Sequence, residues 1–124
     1  MGERSIRHAQ DKPYWLGWSQ VPNVGPTRFA KLLSVFGTAE NAWKGSEKEL
    51  FDVLKPALTS EFLDFRKTFS IIEYEERMRK AKVRFLTLND PKYPKLLKEI
   101  KNAPFILFYK GDMGDKGNKG NMGD

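Results

Sequence analysis

Few side chains in this sequence are equipped to make or break covalent bonds. The chain has no cysteine and one histidine, His8, which excludes disulfides and thiolate-bound metals and leaves one imidazole in a polar, aperiodic N-terminal stretch. No carboxylates pair at helical spacing in an apolar setting, and no glycine-rich loop ends in Lys-Ser/Thr ahead of a helix. Nucleophile, base and oxyanion donor all lack candidates, so no enzyme, cofactor or metal site is expected. The remaining chemistry is the holding of anions. The chain carries a net charge of +6, and residues 77–110 hold ten Lys or Arg, among them Arg77, Arg79, Lys80, Lys82, Arg84, Lys92, Lys95 and Lys98, against Asp90 and Glu99. That bias favours a polyanion, nucleic acid before membrane, because no strongly amphipathic anchor accompanies it. A solvated surface of mixed charge is the competing reading, and matching to a helix dipole accounts for part of the cluster.

A second anion-holding group sits nearer the N-terminus. In LGWSQVPNVGPTRFAKLL, an apolar residue, Pro, any residue, an apolar residue and Gly join two helical patterns, as in a helix-hairpin-helix motif. Gly25 is free to take positive φ, and the following helix N-terminus offers open N–H groups and the positive end of its dipole. Such a turn can hold one phosphate without reading a base, with Thr27, Arg28 and Lys31 placed to reinforce it. Nucleic-acid-binding versions usually carry a second Gly where this chain has Thr27, and Pro26 has no N–H to give. Packing two helices together is therefore the favoured role of the hairpin.

These groups need elements to position them, and hydrophobic periodicity predicts mainly helix. Residues 1–11 read as a loose, flexible terminus. A helix is expected from near Pro13 through Val21, and a second carries Phe29, Leu32, Leu33 and Phe36 up to Gly37. AENAW forms a short third. Ser46 and Glu49 make a capping box for a fourth, which Pro56 ends, and Leu58, Phe62, Phe65 and Phe69 mark a fifth. Residues 12–69 thus form a compact helical subdomain. Ser70 and Glu73 repeat the capping-box spacing ahead of a helix bearing Ile71, Tyr74, Met78 and Ala81. Then VRFLTL, a short helical stretch and FILFY give a βα-type rhythm over residues 70–110. Five consecutive apolar or aromatic residues, 105–109, predict a strand covered on both faces.

WLGWSQVPNVGPTRFAKLLSVFGTAENAW, FLDFRKTF and VRFLTLNDPKYPKLLKEIKNAPFILFYKGD together resemble the N-terminal part of the DNA-processing protein A (DprA/Smf) family. The most specific piece is Asp90-Pro91-x-Tyr93-Pro94-x-Leu96-Leu97, followed by Ile100, Ala103-Pro104 and the strand closing at Lys110-Gly111. The resemblance covers residues 13–112. It implies a helical, sterile-alpha-motif-like domain joined to the first elements of a Rossmann-like domain, and a protein that binds single-stranded DNA and helps load a RecA-type recombinase during natural transformation. The family's later Gly-Ser/Thr-Arg loop has no counterpart, so no pocket residue is carried over and a fragment without the main DNA pocket is expected.

After the last strand, glycine recurs at 111, 114, 117, 120 and 123. Five triplets with no proline at X or Y cannot hold a collagen helix, so residues 111–124 read as a disordered tail. The apolar runs are too short to span a bilayer, the N-terminus resembles no signal peptide, and a cytoplasmic location is expected. The functional expectation is a DNA-binding accessory protein. The alternative is a protein-interaction module whose helical part docks a partner without touching DNA.

Overall fold

The computed structural model describes residues 2–110, with side chains from residue 8 onward. The glycine-repeat tail lies outside the described residues. The order is α1 (Gly2–Ser19), α2 (Pro26–Phe36), α3 (Ala39–Trp43), α4 (Glu47–Thr68), α5 (Ile71–Lys80), β1 (Val83–Thr87), α6 (Lys95–Lys98) and β2 (Ile106–Lys110). The fold is mainly α with a small α/β segment at its C-terminal end.

The first helix starts earlier than its periodicity suggests. It is helical from Gly2 and carries Pro13 inside it, where the missing N–H costs one helical hydrogen bond. Tertiary contacts on either side of Pro13 explain why the helix persists. Asp11, only 8% exposed, accepts from the N–H groups of Ala39 (2.9 Å) and Glu40 (2.8 Å) and from Trp15 Nε1 (3.0 Å). It therefore satisfies open donors at the start of α3 from a residue that the sequence had placed in a loose terminus. That expectation is corrected: residues 8–11 are tied to the body of the protein.

Local rules account for most other boundaries. Pro26 opens α2, and Gly37, at φ 89°, closes it by donating to the Leu33 carbonyl, a conformation that favours glycine. Thr38 caps α3. Ser46 and Glu49 form the full capping box of α4. That helix is two arms broken at Lys55 (φ 69°, ψ 167°), because the residue before Pro56 is kept out of the helical region. Ser70 Oγ accepts from the Glu73 N–H to open α5.

Aromatic rings fill the core. Trp18 stacks on Phe62 with centroids 4.3 Å apart and meets Trp43 edge-on at 5.4 Å. Trp18 Nε1 donates to the Ala39 carbonyl, which removes the cost of burying the indole N–H. Phe29 stacks on Phe105 at 4.1 Å, and Trp15 packs edge-on against Phe29. Phe105 and Ile106 belong to the same buried cluster as the helical residues, so one core runs through Ser70 into the strands. Where α1 crosses α5, a side-chain carbon on Gly17 would lie 2.9 Å from Ile71 and 3.1 Å from Trp43.

The strands pair antiparallel, with Phe85 opposite Phe108 and Thr87 opposite Ile106. β2 is not covered on both faces among the described residues. Phe105 and Ile106 are each 7% exposed, whereas Phe108 is 43% exposed. The segment enters the core at Phe105 and Ile106 and then becomes more exposed, and among the described residues β1 is its only strand neighbour.

Candidate nucleic-acid interface

The hairpin differs from its sequence reading at one angle. Gly25 has φ −96°, and the left-handed position in the turn belongs to Asn23 at φ 69°, a residue type that tolerates it. Gly25 thus supplies no positive-φ turn. Two of the expected phosphate ligands are engaged within the protein. Arg28 donates to the Asn23 carbonyl at 3.2 Å, and Thr27 Oγ1 donates to Asn102 Oδ1 at 3.0 Å. Thr27, Arg28 and Lys31 nevertheless share one shallow groove of about 570 Å³ with Lys55 and Asn102. Lys55 was not marked as a site residue from sequence. Its only signal is its place before Pro56, where the broken helix turns it into the groove.

The basic cluster of residues 77–98 divides between two surfaces. Arg79, Lys82 and Arg84 line a groove of about 610 Å³ between α5 and β1, with Phe85 and Tyr109 in its wall and Glu75 at its side. Arg84 and Tyr109 are cross-strand partners. Arg79 also pairs with Glu76 at 3.2 Å, with both side chains more than half exposed. Arg77 lies over the Tyr74 ring, 5.7 Å from its centroid, and Lys80 is exposed in the last turn of α5. Cations beside the Tyr109 ring suit a single strand, since cations hold phosphates and an aromatic ring stacks on a base; Phe85 instead packs against the core with Lys12 over its ring. Lys92, Lys95 and Lys98 fall elsewhere, on and before α6.

The Asp-Pro-x-Tyr-Pro segment is a structural clasp. Asp90 Oδ2 accepts from the Thr87 N–H at 2.7 Å and from Thr87 Oγ1 at 3.2 Å, and Lys12 Nζ lies 3.2 Å from the same oxygen. Burial opposes ionisation, but the Thr87 hydrogen bonds and the Lys12 charge outweigh it and hold the Asp90 carboxyl below the usual carboxylate range. His8 Nε2 lies 2.7 Å from Thr87 Oγ1 and shares a hydrogen bond with it. Tyr93, 3% exposed, donates its hydroxyl to the Pro104 carbonyl at 2.7 Å, and burial pushes its phenol pKa up. Asp90 therefore joins α1 to the end of β1. His8, Lys12 and Thr87, which sequence reasoning did not mark, complete the clasp.

Among the described residues no group of three or more His, Cys, Asp or Glu could hold a metal, and no helix is long and apolar enough to cross a membrane.

The fold and its two cation-lined grooves define a small, basic, mainly α protein with an appended antiparallel strand pair. Residues 84–121 match the family described as DNA recombination-mediator protein A, a match that runs past residue 112. The chain is 35% identical over 103 residues to Protein Smf of Synechocystis sp., a similarity covering 82% of this chain and 26% of that protein. The chain belongs to the DNA recombination-mediator protein A (DprA/Smf) family. It spans about a quarter of the length of the curated relative it matches. No solved structure matches it.

Proposed function

We propose that this protein is a non-enzymatic, cytoplasmic accessory of DNA recombination that binds single-stranded DNA through its phosphates. The carrying observation is the groove between α5 and β1, where Arg79, Lys82 and Arg84 stand beside Phe85 and Tyr109 in a chain of a recombination-mediator family. Arg28, Lys31 and Lys55 supply a second set of cations at the hairpin groove. The family's resemblance to a Rossmann-like start and its link to a RecA-type recombinase extend the reading: this chain would hold the strand while a further domain engages the recombinase.

The test is an anisotropy titration with a labelled oligothymidylate at two salt concentrations. Contact with about four phosphates gives a slope of roughly −3 in log affinity against log salt, little dependence on sequence, and a marked loss for the Arg79→Glu/Lys82→Glu pair. Absence of binding at low salt would end the reading for this chain.

A second reading, a module that docks a protein partner, gains support from the internal hydrogen bonds of Thr27 and Arg28, which turn the hairpin toward packing. Charge reversal at Arg28 and Lys31 separates the two. It lowers DNA affinity under the first reading and leaves partner binding intact under the second.

A further inference from the structure

Lysines recur every third residue at 92, 95, 98 and 101, with Glu99 as the one acidic residue among them. All four lysines are exposed, and among the described residues none makes an ion pair. The same stretch leaves Leu96 81% exposed and Ile100 53% exposed. Leu96 lies inside α6 and Ile100 two residues past its end at Lys98. The backbone beneath them is already fixed. The Lys98 N–H donates to the Pro94 carbonyl, the Ile100 N–H donates to the Leu97 carbonyl, and Tyr93 and Asn102 anchor the two ends at Pro104 and Thr27.

Isolated exposed leucines are ordinary, but here two aliphatic side chains stand among four unpaired cations on an ordered surface. We infer that residues 92–101 are a docking surface for an acidic peptide segment of a partner protein, with Leu96 and Ile100 taking its apolar side chains and Lys92, Lys95, Lys98 and Lys101 pairing with its carboxylates. Charge complementarity selects an acidic partner. The aliphatic pair favours a peptide, whose apolar side chains can cover Leu96 and Ile100 while its carboxylates meet the lysines. The one aromatic residue of the segment, Tyr93, is buried and unavailable for stacking on a base. The surface is independent of the DNA reading, and it assigns Lys92, Lys95 and Lys98 to a different partner from Arg79, Lys82 and Arg84.

The test pans the whole chain against a displayed random-peptide library and measures the enriched peptides by anisotropy against wild type, Leu96→Ser and Lys95→Glu/Lys98→Glu. All three substituted residues are exposed, and circular dichroism verifies that each variant folds. The expected result is enrichment of peptides rich in Asp and Glu with apolar residues between them. Affinity for them falls about tenfold on Leu96→Ser, which removes most of one buried leucine, and by at least as much on charge reversal. An enriched set without acidic bias, no enrichment, or binding that survives Leu96→Ser would overturn the inference. So would an oligothymidylate or an anionic phospholipid vesicle whose own binding is weakened by Leu96→Ser, since either would make the surface a site for another class of partner.

Discussion

Asp90 takes two hydrogen bonds from Thr87 and a lysine charge from α1, and this sets how the protein responds to acid. Its carboxyl ionises more readily when folded than when unfolded, so the unfolded chain binds its proton first as pH falls. Its stabilising contribution is complete well above the ordinary carboxylate value of 3.8 and is lost as pH drops through the lower, folded value. Urea denaturation of Asp90→Ala should show a loss of about 1–3 kcal/mol at neutral pH, because the Thr87 N–H loses its acceptor. That difference from wild type should shrink below about pH 4. At this scale the sequence was only partly informative. Its strongest family marker was visible as Asp90-Pro91-x-Tyr93-Pro94, but its purpose was not, since the partners His8 and Lys12 lie 79 and 78 residues from theirs. Asp11 was hidden for the same reason: two of its donors begin another helix, 28 and 29 residues on.

Elements whose ends depend on neighbouring residues were legible. The Ser46–Glu49 box, the Gly37 stop and the break before Pro56 each rest on chemistry within a few positions. The start of α1 was not, because Pro13 mimics a first turn and the contacts that carry the helix through it are tertiary. Nor was the pairing of the strands, since five apolar residues in a row do not say which neighbours a strand will meet. The break in α4 has a measurable cost. Lys55 holds φ 69° and ψ 167°, a region populated almost only by glycine. Lys55→Gly should therefore raise stability by about 1 kcal/mol after allowing for the extra freedom glycine gives the unfolded chain, measured by chemical denaturation. The same variant should weaken oligothymidylate binding if the hairpin groove holds phosphate.

At the scale of the whole molecule, the sequence reads as a helical subdomain over 12–69 and an α/β segment over 70–110, and one buried cluster holds residues of both, Phe62 with Phe105 and Ile106. Composition changes between the two, but the core does not. Phe105 is the joint, 7% exposed and stacked on Phe29. Phe105→Ala should cost about 3–5 kcal/mol. Urea unfolding followed by tryptophan fluorescence and by far-ultraviolet circular dichroism should remain one coincident transition at lower midpoint. Two separated transitions in the wild type would show instead that the halves are energetically independent.

The Phe29–Phe105 stack also bears on the order in which the protein becomes stable during synthesis. Phe29 is made early, in the second helix, yet its stacking partner arrives 76 residues later in the chain. While the ribosome is still adding α5 and β1, Trp15 covers only one edge of Phe29, and the ring's stacking face must wait for Phe105, just ahead of β2. Exposed rings in unfinished chains are targets for chaperones and sites of aggregation. Slow translation across residues 81–104 would lengthen that interval, and rapid translation would shorten it.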